Sequence, residues 1–201
     1  MQPVKIKDDV YWVGAVDWDI RNFHGYTTQR GATYNAYLII DERITLLDTV
    51  KPQFYDEMIQ RISQVVDPAK IEYIISNHVE MDHSGSLPKL MELAQKATVI
   101  TSPRGQQGLK AHYKKDWNFK IVNSGDTLNL GKRNINFVLT PMVHWPDNMV
   151  SYLAEDKILF SNDSFGQHLA SSERFDDELP LQMILQEAKK YYGNIVLPYG
   201  K

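Results

Sequence analysis

The sequence contains no cysteine. That absence removes disulfides, thiolate nucleophiles, cysteine-bound zinc and iron–sulfur clusters. Any metal has to be held by histidine, aspartate and glutamate, and any redox role needs a cofactor not built from protein sulfur. Long apolar runs are missing too. No stretch approaches the roughly 20 apolar residues of a membrane span, and the N-terminal M-Q-P-V-K-I-K-D-D has no apolar core or small-residue cleavage site. A cytoplasmic location is therefore expected. Nor is there an excess of one charge: 22 Lys and Arg against 25 Asp and Glu leave a formal −3, which points away from nucleic acid and membrane surfaces.

What is present suits one globular domain. A hydrophobic fraction of 43% with 11% aromatics fills a sizeable core, and 201 residues fit a single domain, 1–201. Residues 10–16 (V-Y-W-V-G-A-V), 34–40 (Y-N-A-Y-L-I-I) and 44–48 (I-T-L-L-D) read as strands, the last two joined by a D-E-R turn. Phe54, Met58, Ile62 and Val66 are spaced four apart, which predicts an amphipathic helix over 54–66. A strand is expected at 71–76, then a helix capped by Ser84 and carrying Leu87, Leu90 and Met91 on one side. A strand at 97–101 and a helix at 104–113 follow. The second half is mostly strand, at 119–122, 127–130, 135–140, 149–153 and 158–161, before a helix at 181–192 and a strand-like run at 195–197. The pattern predicts a mixed α/β domain with two sheets and outer helices.

The chemistry concentrates in N-H-V-E-M-D-H-S-G, residues 77–85. It places His78, Glu80, Asp82 and His83 within six positions, directly after a buried-looking strand. In an extended segment side chains alternate faces, so His78, Glu80 and Asp82 are expected on one side, with Val79 and Met81 on the other. Four donors from one loop begin a metal cage but do not complete it. His144, in T-P-M-V-H-W-P-D-N-M, and Asp163, in L-F-S-N-D-S-F-G-Q-H, both follow predicted strands, where open sheets place their sites. Asp48, Asp147 and Asp163 each have the alternative role of capping a turn.

The order H-x-E-x-D-H, then a distant histidine, then aspartate, resembles the metallo-β-lactamase superfamily, whose hydrolases carry H-x-H-x-D-H. Glu80 in place of the second histidine, together with D-W-D-I-R-N-F-H-G-Y, H-W-P-D-N-M and S-N-D-S-F-G-Q-H, resembles the flavodiiron proteins, or A-type flavoproteins. The resemblance runs over residues 12–198. It implies an αββα sandwich of two mixed sheets with outer helices, and two non-haem irons bridged by carboxylate. It also implies reduction of oxygen to water or of nitric oxide to nitrous oxide. By the same resemblance His78, Glu80 and His144 would ligate one iron, Asp82 and His83 the other, and Asp163 would bridge them. His24 and Tyr26 match residues beside the exchangeable positions, Asp48 an acidic residue that orients the metal loop, and Trp145 an aromatic residue facing the flavin. A head-to-tail homodimer is implied, so that each diiron site meets its partner's FMN.

Two departures from the family pattern shape the expectation. No flavodoxin domain with its phosphate-binding loop is legible, and the family's last histidine ligand has no counterpart before Lys201. His112 and His168 are read as surface residues or as residues behind the ligands. The expected molecule is a diiron domain missing its C-terminal part, with FMN supplied by a partner flavoprotein or a rubredoxin-type donor. A flavin-less module that binds or senses oxygen is one alternative, and a zinc hydrolase of the same fold, disfavoured by Glu80, another.

Overall fold

The structure, a computed structural model, describes residues 2–199. Met1, Gly200 and Lys201 lie outside the described residues. The chain begins with β1 (Val4–Lys7), β2 (Val10–Trp12) and β3 (Ala15–Asp17), then a small hairpin of β4 (Asn22–Phe23) and β5 (Tyr26–Thr27). Next come β6 (Ala32–Tyr34), β7 (Tyr37–Ile39), β8 (Thr45–Leu47), helix α1 (Tyr55–Ser63) and β9 (Tyr73–Ile75). A one-turn helix, α2 (Met81–Ser84), precedes α3 (Leu87–Leu93), β10 (Thr98–Thr101), α4 (Pro103–Tyr113) and β11 (Phe119–Ile121). The rest consists of β12 (Thr127–Asn129), β13 (Asn134–Leu139), β14 (Met149–Leu153), β15 (Ile158–Phe160) and α5 (Leu181–Tyr191).

Two sheets carry the fold. One has seven strands in the order β1-β2-β7-β8-β9-β10-β11, parallel from β8 to β11 and antiparallel before; the other is an antiparallel meander, β12-β13-β14-β15. Side-chain alternation along each strand explains why both faces of the large sheet are apolar. Leu38, Leu46, Ile74 and Val99 face Met58, Ile62, Leu87, Leu90 and Leu109 of the helices. Their neighbours Ile39, Leu47, Ile75 and Ile100 point the other way, against Leu128, Ile135, Phe137, Met149 and Phe160 of the meander. Helix, sheet and sheet are thus welded by two apolar layers, and the loops at one end of both sheets converge on a single place.

Four predicted elements differ. The strands expected at 10–16 and 34–40 are each broken in two, because the paired chains leave the large sheet together to form the β3–β6 ribbon. Gly14 marks the break: a Cβ there would stand 2.0 Å from the Tyr34 carbonyl oxygen and 3.0 Å from the Ala36 nitrogen. Ser84 does not cap the following helix. It ends α2, and its hydroxyl donates back to the carbonyl oxygens of Val79 and Glu80, while α3 starts after Ser86 with Pro88 in its first turn. Finally, the run at 195–197 is helical, not a strand. The chain past α5 winds on through a wide turn at Tyr192–Val196 that buries Ile195.

Candidate metal centre

Each donor arrives on a loop that leaves a strand. The loop after β9 carries His78 and Glu80, then turns into α2, which carries Asp82 and His83. His144 follows β13, Asp163 follows β15 and Asp48 follows β8. The expected alternation of side chains ends at Glu80, since α2 is helical. Val79 is 2% exposed and Met81 46%, so they do not share a side. The change from extended to helical backbone is what lets the adjacent residues Asp82 and His83 both reach the site. His24 comes from the tip of the β4–β5 hairpin, where His24 (φ 52°) and Gly25 (φ 78°) are both left-handed, as a two-residue type I′ turn requires. Asp48 (φ 54°) and Asn162 (φ 39°) are also left-handed, so backbone strain gathers around the site.

The donors converge. Glu80 Oε2 lies 3.1 Å from His144 Nε2 and 3.5 Å from His78 Nε2, while Glu80 Oε1 is 3.1 Å from His24 Nε2. Asp163 spans the group, with Oδ2 3.2 Å from His144 Nε2 and Oδ1 3.1 Å from His83 Nε2. His83 Nε2 is also 3.4 Å from Asp82 Oδ2. Ligand atoms of His24, Glu80, His144 and Asp163 lie within 4.8 Å of one another, as do those of Asp82, His83 and Asp163. Two groups sharing Asp163 have the form of a two-metal site with a bridging carboxylate.

Electrostatics report the same crowding. Burial disfavours the charged rings of His78 and His144, yet the carboxylates beside them raise both to about 9: Asp147 and Glu80 for His78, Asp163 and Glu80 for His144. His83 lies well above its ordinary value, because Asp82 and Asp163 outweigh its burial. Burial works against ionisation of Glu80, but His144, His24 and His78 hold it far below the usual carboxylate range. Asp163 is lowered likewise by His83 and His144, whereas Asp82 is raised by burial.

A metal pair fits this donor set. His78 Nε2, Glu80 Oε2, Asp82 Oδ1, His144 Nε2 and Asp163 Oδ2 are buried with no hydrogen-bond partner among the described residues. Orphaned buried polar atoms are costly, and five in one cluster are what cations would satisfy. Three carboxylates offset most of the charge of two divalent ions. A cavity of about 150 Å³ opens beside the cluster, with Asp82, His83, Asp163, Phe165, His168 and Tyr191 in its wall.

The remaining sequence-predicted residues sit around this group. Asp48 accepts from the Asn77 backbone N–H (2.7 Å) and side-chain amide (3.0 Å), and its Oδ2 is 3.9 Å from His83 Nδ1. Trp145 is half-buried and edge-on to His78, ring centroids 5.3 Å apart. The Tyr26 hydroxyl lies 2.8 Å from His168 Nδ1, and the His168 ring is 5.0 Å from that of His24. His168 is buried, which with the nearby His24 lowers it to about 3. His112 is exposed on α4, away from the cluster. Two residues with weaker or no sequence signal, Asp147 and Tyr191, also reach the cluster. Asp147 Oδ2 lies 2.9 Å from His78 Nδ1, and the Tyr191 hydroxyl donates to the Asp163 carbonyl at 2.9 Å. The signal for Asp147 was its place three residues after His144; Tyr191 had none, because it arrives from a helix distant in sequence.

Fold and site together place a carboxylate–histidine cluster that could hold metal on a metallo-β-lactamase-like sandwich. Residues 32–194 match the model of the ODP family beta lactamase, and the chain belongs to that family. It is 50% identical over 202 residues to the nitric oxide reductase of Moorella thermoacetica, covering 99% of this chain and 51% of the relative. Among solved structures, the rubredoxin oxygen:oxidoreductase of Desulfovibrio gigas superposes with a TM-score of 0.96 at 48% identity, over 98% of this chain and 50% of that one. The flavodiiron protein of Giardia intestinalis gives 0.94 at 42% identity, over 98% and 48%. The chain spans about half the length of the curated relatives it matches. The flavodiiron resemblance is thereby shown at the level of family and fold.

Proposed function

We propose that the protein houses the diiron centre of an oxygen or nitric oxide reductase, reducing oxygen to water or nitric oxide to nitrous oxide. The observation that carries this reading is Glu80, whose carboxylate contacts His144, His78 and His24 at once. A carboxylate in that place makes the donor set harder and more anionic, which suits redox-active iron and stabilises its ferric state, whereas zinc sites lean toward nitrogen. The names of the relatives support the substrate class.

In this reading His78, Glu80 and His144 would hold one iron and Asp82 and His83 the other, with Asp163 offering one carboxylate oxygen toward His144 and the second toward His83. The iron pair, when bound, supplies electrons and Lewis acidity to a diatomic gas. The protein's own residues do the rest. Asp48 and Asp147 fix the ligand loops from behind through Asn77, Val79 and His78. His24 donates to the outer oxygen of Glu80 and orients that carboxylate. Phe23, stacked 4.0 Å from His24, holds that ring in place.

Full reduction of oxygen consumes four electrons, so a donor has to refill the centre. We assign that role to FMN of a flavoprotein seated against Trp145, with a rubredoxin-type protein upstream. The test is anaerobic loading with ferrous iron, then oxygen or nitric oxide consumption with a reduced flavoprotein. Sustained consumption of either gas is expected. Two bound zinc ions with esterase activity, and no gas consumption, would contradict the reading.

A further inference from the structure

We infer that Asp147 is a positioning residue that fixes the metal-binding nitrogen of His78 and staples together the two loops supplying His78 and His144. The inference rests on the metal-binding part of the proposed function, but not on which metal is used or which gas is reduced.

Three observations carry it. The first is the ring of His78, which is 0% exposed and has different surroundings at its two nitrogens. Nδ1 lies 2.9 Å from Asp147 Oδ2, while Nε2 faces Glu80 Oε2 at 3.5 Å and Asp163 Oδ2 at 3.6 Å without a hydrogen bond. A neutral imidazole carries one N–H. Without Asp147, the carboxylates of Glu80 and Asp163 would draw that proton onto Nε2, the atom that must face a metal bare. Asp147 keeps the hydrogen on Nδ1 and leaves the Nε2 lone pair for the cation, the usual work of a carboxylate behind a metal-binding histidine.

The second is connectivity. Asp147 stands three residues past His144 on the loop after β13, yet its Oδ2 also accepts the Val79 backbone N–H at 2.7 Å on the loop after β9. One oxygen therefore ties the two loops that bring His78 and His144 to the same side of the centre, rings 5.4 Å apart at 73°. The third is the rigidity of the base. The Asp147 carbonyl accepts from Ser102 Oγ at 2.7 Å, and the same hydroxyl accepts the Gly105 N–H at 2.9 Å at the start of α4. The staple is anchored to a helix outside the site.

Cobalt(II) titration of the metal-free protein tests this, with visible ligand-field absorption as readout and melting of the metal-free protein alongside. Asp147→Asn keeps the size and an acceptor but removes the charge. It should weaken one of two Co²⁺ positions roughly 10–100-fold and change the absorption bands of that position only. Ser102→Ala, which loosens the base but keeps the Asp147 charge, should lower the melting temperature and weaken the same position less than Asp147→Asn does. Asp147→Glu, which keeps the charge but displaces it, should fall between Asp147→Asn and wild type, and it carries the test if the asparagine variant fails to fold. Wild-type affinities in both Asp147 variants would overturn the inference, as would an equal loss in Ser102→Ala. Two tight Co²⁺ positions in a protein that consumes neither gas would leave this inference standing while removing the reductase reading; no Co²⁺ binding by the wild type would remove both.

Discussion

Asp163 reaches His144 with one carboxylate oxygen at 3.2 Å and His83 with the other at 3.1 Å, so a single side chain joins the two halves of the donor cluster. Asp163→Ala should accordingly empty both metal positions. Glu80→Ala removes donors from one half and should lose one ion of the pair. His112→Ala, exposed on α4, should change nothing. Metal analysis of the three variants after anaerobic loading decides this. Unchanged iron in both carboxylate variants would remove the ligand assignment.

On the proposed reading Glu80 also sets metal preference. Glu80→His restores the H-x-H-x-D-H order, removing a negative charge and adding a nitrogen donor, which favours zinc over ferrous iron. Competition between equal Fe²⁺ and Zn²⁺ under anaerobic conditions should show a shift of about tenfold or more toward zinc, on the order of 1.4 kcal/mol. No shift would mean that loop geometry, not charge, selects the ion.

The pH dependence follows from the raised histidines. In the metal-free protein the rings of His78 and His144 titrate at about 9, above the 6.5 of a free imidazole. The stability they contribute is fully present below about pH 6.5 and is lost as pH rises through about 9. The metal-free protein should therefore melt at a lower temperature at about pH 10 than at about pH 7. Metal has to displace these protons, so affinity should increase with pH up to about 9, with proton release visible by calorimetry in buffers of different ionisation enthalpy. A melting temperature that rises over that interval would contradict the charged-ring assignment.

Gly14→Ala tests the packing where β2 and β3 part. The added methyl meets the Tyr34 carbonyl oxygen at 2.0 Å, and backbone cannot move aside cheaply. A loss of about 1–3 kcal/mol in urea unfolding is expected, a typical cost of overpacking. Wild-type stability would show that the ribbon can slide.

Much of the fold and of the donor set is legible in the sequence. The ligand loop was legible because His78, Glu80, Asp82 and His83 lie close together and follow an apolar strand. The strands of the meander were legible from their alternation and their turn residues. What escaped was non-local. The break at Gly14 depends on the Tyr34 carbonyl across the ribbon, which periodicity within 10–16 cannot register. Ser84 looked like a cap because serine caps helices, but its hydroxyl bonds backward to Val79 and sideways to Tyr113. Apolar residues at 195–197 suited a strand as well as a helix, and a run of three does not separate the two periods. His168 and Asp147 gained meaning only when folding brought Tyr26 and His78 beside them.

The proposed iron pair would be held by His78, Glu80, Asp82, His83, His144 and Asp163, with a carboxylate bridge. Mössbauer spectroscopy of the protein loaded anaerobically with ⁵⁷Fe²⁺ tests it most directly. Two high-spin ferrous sites that become a spin-coupled diferric pair on oxidation, and lose that coupling in Asp163→Ala, are the predicted result. Isolated, uncoupled iron in the wild type, with the same spectrum in Asp163→Ala, would contradict it.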